Sequence, residues 1–224
     1  MSRLPVNLGL GIVGIFHRDT LGPLLIGGIA AFGSSSLDQE ARDRIRTANP
    51  DKGWAKTIQT LGSGPWSTAF VASLFTVGRI TSKARFRATT YDMLDAVAVN
   101  AGYTEIFKIA VGRERPDGSD KRSFPSGHAS TVFTLAEVTQ QHYGWKVGAP
   151  AYLLAGLVGA SRIRQDRHRL SDVVAGATLG YIVGRTVVRV NSQPMADGSR
   201  SGAEVSVAPI MARHVRGLQM SLTF

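Results

Sequence analysis

The stretch SFPSGHASTVFTLAEVTQQ, Ser123 to Gln141, begins as a loop and turns into a helix. Pro125 is tolerated at a helix start, and Ser126 is a residue type that caps one. The spacing predicts a helix from about Ser126 to Tyr143. The first backbone N–H groups of such a helix have no partner within it and carry partial positive charge. That end is a seat for an anion. Gly127 has no side chain to keep an anion away. Capping accounts for Ser126 and for Gly127. It leaves unexplained His128, which stands in the first turn beside whatever binds there.

Further helical segments surround this one. Thr20–Asp38 and Pro65–Ile80 are apolar and carry Pro near their starts. Thr89–Pro116 reads as one long amphipathic helix, with Leu94, Val97, Ala101, Ile106 and Ile109 along one stripe. Pro116 ends it. Ala149–Ile163 and Ser171–Val190 are two more, the latter with Ser171 as a candidate N-cap. The fold class expected is therefore all-α, a helical bundle. The tail differs. Leu218, Met220, Leu222 and Phe224 alternate with other residues, a period of two that predicts a short C-terminal hairpin or edge strand. Residues 1–190 are expected to form the helical domain, and 191–224 a linker with a β-like tail. A terminal alternating strand also ends outer-membrane barrels, but one strand pair makes no barrel, and packing on the helices is the simpler expectation.

The 224 residues suffice for one good-sized core, and 43% of them are hydrophobic, too many for a disordered chain. The chain holds 25 glycines, many inside apolar runs, which suggests close helix–helix contact. Mean hydropathy is +0.01, low for a chain made mostly of membrane spans. The apolar segments hold about 14–17 apolar residues, against the roughly 20 needed to span comfortably. The sequence thus leans slightly toward a soluble or peripheral bundle over an integral one. The run Leu8–Phe16 is too short to span and shows no cleavage pattern behind it. The formal net charge of +10 favours anionic partners. Basic residues are not interleaved with aromatics, which speaks against a nucleic-acid module. There is no cysteine, which excludes disulfides and thiolate metal sites.

Two more clusters carry chemistry. In KIAVGRERP, Lys108 and Arg115 are seven apart and project from one helix face if the helix continues. Two cations on one face repel unless an anion sits between them. In SRIRQDRHRLSD, Arg162 precedes His168, and Asp172 follows it at i+4. A carboxylate beside an imidazole holds the ring and fixes which nitrogen carries the proton. The other nitrogen is then free to attack. Together the clusters supply two histidines, a carboxylate, three cations and a helix N-terminus. Phosphoryl transfer needs that inventory, because charge spreads over the phosphoryl oxygens and must be neutralised in place. These residues alone leave open which histidine attacks, although the carboxylate at i+4 favours His168.

In order and spacing, KIAVGRERP, PSGH and SRIRQDRHRLSD resemble the three-part signature of the type 2 phosphatidic acid phosphatase superfamily, which includes bacterial acid phosphatases and vanadium haloperoxidases. All signature positions are present, over Lys108–Asp172. The resemblance implies the family's helical-bundle fold and a phosphatase acting on a phosphate monoester or diphosphate, with a phosphorylated lipid or small phosphate ester as substrate. It implies a phosphohistidine intermediate on His168, with Asp172 orienting that ring and His128 as general acid. Lys108, Arg115 and Arg162 then hold the phosphate oxygens, helped by Ser126 and the Gly127 amide. It implies no cofactor and no metal, with vanadate as inhibitor or phosphate mimic. It also implies association with a membrane, or a periplasmic enzyme, and an active site facing outside the cytoplasm.

Two other readings remain at this stage. A vanadate-dependent haloperoxidase would use the same residues, but the chain is short for one. A non-catalytic anion-binding membrane protein would be expected to have lost a signature residue. Selectivity would come from Leu21–Arg87 and Asp117–Phe124. Lys121 and Arg122, in that second loop, are read as solvated.

Overall fold

The computed structural model describes residues 4–15, 17–48, 53–192, 204–212 and 215–223. Along the chain run α1 (Leu4–Gly14), α2 (Arg18–Ser34), α3 (Asp38–Ala48), α4 (Gly53–Gly62), α5 (Gly64–Ile80), α6 (Ala84–Val111), α7 (Gly127–Tyr143), α8 (Trp145–Arg164) and α9 (Leu170–Ser192). A single 3-10 turn, Ser35–Leu37, joins α2 to α3. The chain divides into two units, residues 1–192 and 193–224. In the second, β1 (Glu204–Ala212) pairs antiparallel with β2 (Val215–Thr223), Val207 opposite Met220. The linker was read as starting at Asn191, yet α9 continues through Ser192. The Asn191 amide donates to Asp92 and Asp95, which holds the last turn of α9 in place. Most of the remaining linker lies outside the described residues.

Three glycines set the packing around α7. Gly176, Gly180 and Gly184 fall four apart on α9 and share one face. A Cβ at Gly176 would lie 2.5 Å from the Ser126 carbonyl oxygen. At Gly180 it would lie 2.8 Å from the Thr134 nitrogen, and at Gly184 2.9 Å from the Thr134 oxygen. Backbone therefore meets backbone, as small residues permit between apolar helices. α7 also packs on α6 and α8. Val138, Met93, Val99, Leu179 and Val183 fill the centre. The close approach at Gly176 brings the start of α7 against the start of α9, where Ser126 N–H donates to the Asp172 carbonyl at 2.9 Å.

α6 departs from expectation in two ways. It ends at Val111, not near Pro116, because Gly112 adopts the left-handed conformation (φ 57°) and caps it. Its expected apolar stripe is split: Leu94 and Val97 are half-buried against the core, but the C-terminal part faces outward. Ile106 and Ile109 are 60% and 75% exposed, whereas Asp92, Asp95, Asn100, Thr104 and Lys108 are buried. The neighbours are alike: Ile29 and Phe32 of α2, Ile80 of α5 and Leu153 of α8 point outward. An apolar exterior over a polar-rich interior suits a bundle bathed in hydrocarbon. Two helical stretches, Arg18–Ala48 and Leu170–Ser192, are long and apolar enough to cross a membrane. These features weigh against the lean toward a soluble bundle. It rested on counting apolar runs, and these helices extend past their runs through Gly, Ser and Thr.

Replacing Gly180 by Ala is expected to force α7 and α9 apart, at a cost of about 1–3 kcal/mol. Gly156→Ala is the control, since a Cβ there meets nothing within 4 Å. It should hold or raise stability, by up to about 1 kcal/mol from helix propensity. Thermal unfolding in detergent checks both.

Candidate active site

The three sequence clusters meet at one end of the bundle. Lys108 lies in the last turn of α6 and Arg162 in the last turn of α8. Arg115 lies in the loop between α6 and α7. Ser126 caps α7, its hydroxyl accepting from the Ala129 N–H at 3.5 Å. A Cβ on Gly127 would come within 3.8 Å of Lys108 Nζ, so the space an anion needs is there only because residue 127 is glycine. Lys108 is anchored by donating to the Arg122 carbonyl at 3.1 Å. Arg115 is aimed by its Nε–H bond to Asp120, 2.6 Å, and also donates to the Arg167 carbonyl. Arg162, Lys108 and Arg115 all act electrostatically on His128 and on His168. Three cations thus converge on two imidazoles at a helix N-terminus, the arrangement expected of a seat for a phosphate. Of the loop residues read as solvated, Lys121 is exposed and Arg122 pairs with Glu105 at the surface.

His168 sits in the corner between α8 and α9 and is buried. Burial, and then Arg115, Arg162 and Lys108, push its pKa down to about 2. The ring is therefore neutral near pH 7. Its Nδ1 lies 2.7 Å from the Ser123 carbonyl oxygen. A carbonyl can only accept, so Nδ1 carries the hydrogen and Nε2 keeps its lone pair. That is the state a nucleophilic imidazole needs.

The expected contact between Asp172 and this ring is not made. Asp172 Oδ2 is 3.9 Å from His168 Nδ1. His168 precedes α9, so helical i, i+4 geometry does not apply to the pair. Asp172 instead folds back on its own helix. Its Oδ2 accepts from the Arg169 N–H at 2.8 Å, the back-bond of a capping box. The same oxygen accepts from Ser123 Oγ at 2.6 Å, and Oδ1 from Arg113 at 2.8 Å. Ser123 thus joins the two: its hydroxyl is held by Asp172 while its carbonyl holds His168. Asp172 places the ring through Ser123.

Sequence reasoning also missed the next link. Asp38, at the start of α3, accepts from Arg113 at 3.2 Å and from the Ser171 N–H at 2.8 Å. The Ser171 hydroxyl donates to it as well, at 2.9 Å. Ser171 is therefore not the N-cap of α9. On the same helix Arg42 and Arg46 grip Asp166, the residue at φ 58° two before His168. Arg113 and Ser123 stood inside the quoted motifs. Asp38 had no local signal: its partner Ser171 is 133 residues away.

Residues 89–195 match the family model described as the PAP2 superfamily. A lipid A 1-phosphatase of Porphyromonas gingivalis is 38% identical over 91 residues, covering 39% of this chain and 20% of that protein. A lipid A 4'-phosphatase of Helicobacter pylori is 34% identical over 68 residues, covering 30% of this chain and 34% of that protein. The chain thus spans about a fifth and about a third of the length of these two relatives. Among solved structures, a transmembrane PAP2-type phosphatidylglycerolphosphate phosphatase from Bacillus subtilis superposes with a TM-score of 0.64 at 21% identity, over 75% of this chain and 92% of that one. The LpxE of Aquifex aeolicus gives 0.58 at 25% identity, over 68% and 95%. Residues 89–195, from the second turn of α6 past the end of α9, thus carry a segment that matches the PAP2 superfamily, and the fold is the PAP2 helical bundle.

Asp38 and α3 lie outside the family segment, yet they brace the corner that holds His168. Asp38→Asn should lower kcat on a phosphate ester about 10- to 100-fold, with KM changed little, because small misplacements of reacting groups cost that much. Asp38→Glu should recover part of it. An unchanged kcat, or a loss confined to KM, would show that the brace is not used.

Proposed function

We propose that this protein is a lipid phosphate phosphatase that hydrolyses a phosphate monoester or diphosphate through a phosphohistidine on His168. The observation that carries the reading is the Ser123 carbonyl on His168 Nδ1, which leaves Nε2 as a neutral nucleophile among three cations. Lys108, Arg115 and Arg162, with the Gly127 N–H, hold the phosphoryl oxygens and disperse their charge. Nε2 attacks phosphorus while the bond to the leaving oxygen breaks, and His128 gives that oxygen a proton; burial and the charges of Arg162, Lys108 and Arg115 hold this imidazole well below its ordinary pKa in the free protein, so it takes up that proton once the substrate dianion offsets those charges. Water then attacks the phosphohistidine, His128 takes up the water's proton, and orthophosphate leaves. The cations do the work a metal ion would do elsewhere, so no metal is required.

A lipid substrate is supported by the groove beside the site. A cavity of about 570 Å³ runs between α2, α6 and α9, lined by Leu24, Phe32, Phe107, Val111, Phe124 and Leu179. Arg113 and Ser171 line it too, so it opens beside the site. The named activities of the two bacterial relatives, on lipid A, point the same way. With the outward apolar residues facing hydrocarbon, the site lies at one membrane surface. We place it on the side away from the cytoplasm, where the family resemblance puts it.

Purified His168→Ala should fold and lose turnover on every phosphate ester tested, and vanadate should inhibit the wild type. Wild-type activity in His168→Ala would remove the proposed nucleophile.

A further inference from the structure

On the side of the seat where His128 stands there is a second, smaller cavity of about 200 Å³. Lys108, Gly127 and His128 line it on the side of the seat, and Thr104, Glu105 and Gly64 are among its other lining residues. Thr104 is 5% exposed, and its hydroxyl has no hydrogen-bond partner. A buried hydroxyl left without a partner is unfavourable, so a ligand group that hydrogen-bonds to it is favoured there. Asn100 differs, because it is satisfied by Ser130 and Thr131. Thr104 is one helical turn before Lys108, and its methyl would meet a Cβ on Gly127 at 3.4 Å.

Displacement at phosphorus is in line, so nucleophile and leaving oxygen lie on opposite sides of the phosphoryl group. If His168 attacks, the leaving oxygen is on the His128 side, where this cavity is. Its charge is informative. Apart from Lys108 and His128, which belong to the seat, no lining residue can be cationic, and Glu105 is anionic. Arg122 balances Glu105 from outside. A second phosphate there would meet a carboxylate and no further cation. A neutral alcohol bearing a hydroxyl would meet Thr104.

Resting on the phosphohistidine reading above, we propose that this cavity is the leaving-group pocket. Thr104 Oγ hydrogen-bonds a hydroxyl of the departing alcohol, and the enzyme prefers hydroxylated monoesters, of glycerol or sugar type, to diphosphates. The α4–α5 corner shapes the pocket. A Cβ on Gly62 would lie 3.2 Å from His128 Cβ and 2.7 Å from Val158, so glycine lets α4 seat the general acid. A Cβ on Gly64 meets nothing within 4 Å, so the mouth can be narrowed without disturbing the fold.

The test compares kcat/KM in detergent for three substrates: lysophosphatidate, dodecyl phosphate and dodecyl diphosphate. Wild type should favour lysophosphatidate over dodecyl phosphate and turn over the diphosphate most slowly. Thr104→Val should reduce the first preference about tenfold, the value of one hydrogen bond, and Thr104→Ser should retain it. Gly64→Leu should lose more on lysophosphatidate than on dodecyl phosphate, and it carries the test if Thr104→Val does not fold. Preference for the diphosphate overturns the proposal. So does a Thr104→Val loss that is equal on all substrates and matched by weaker vanadate inhibition, which would put the hydroxyl on the phosphate instead. Absence of turnover on all three substrates by wild type would refute the phosphatase reading itself.

Discussion

Asp172 has no exposed surface, and a carboxylate so placed is unstable unless every oxygen is engaged. Much of the site follows from that demand. Arg113, Ser123 and the Arg169 N–H satisfy its two oxygens, and each comes from a different stretch of backbone. The α6–α7 loop, the α8–α9 corner and the first turn of α9 are thereby fixed to one point. Arg113 extends the connection to Asp38 and so to α3. Removing any partner would leave a buried charge short of a bond, so the corner is held as a unit.

The second constraint is electrostatic. Lys108, Arg115 and Arg162 repel one another and repel any proton on the histidines between them. In the free protein this keeps His168 neutral. When a dianion arrives, the same charges turn from mutual repulsion to attraction for its oxygens. In the proposed mechanism one arrangement thus supplies an unprotonated nucleophile before binding and charge neutralisation after it. The cations keep their positions because carbonyl and carboxylate groups outside the seat hold them: Arg122 O for Lys108, Asp120 and Arg167 O for Arg115.

What was legible in the sequence was chiefly local. Ser126, Gly127 and His128 announced a capped helix start with an extra group, and the structure has that cap. Lys108, Arg115, Arg162 and His168 were legible through spacing and family resemblance, and they converge. Asp172 holds His168 through Ser123 and not by the direct contact expected, because the chain turns a corner at His168 and α9 does not extend back over it. The α6 stripe was legible only in its first half, where Leu94 and Val97 pack on the core. Toward the site the polar residues Asn100, Thr104 and Lys108 go inside while Ile106 and Ile109 stay out. Asp38 and the empty hydroxyl of Thr104 were not legible at all. One depends on a contact across most of the chain, the other on the absence of a partner, and only coordinates show either.

The account turns on which atom attacks phosphorus. The direct measurement is to mix purified enzyme with a 32P-labelled lipid phosphate, quench within milliseconds in alkali, digest and locate the label. A base-stable, acid-labile phosphate on the peptide containing His168, absent from His168→Ala, is the predicted result. Label on a different residue, or rapid turnover with no trapped phosphoprotein and incorporation of solvent oxygen in a single inverting displacement, would contradict it.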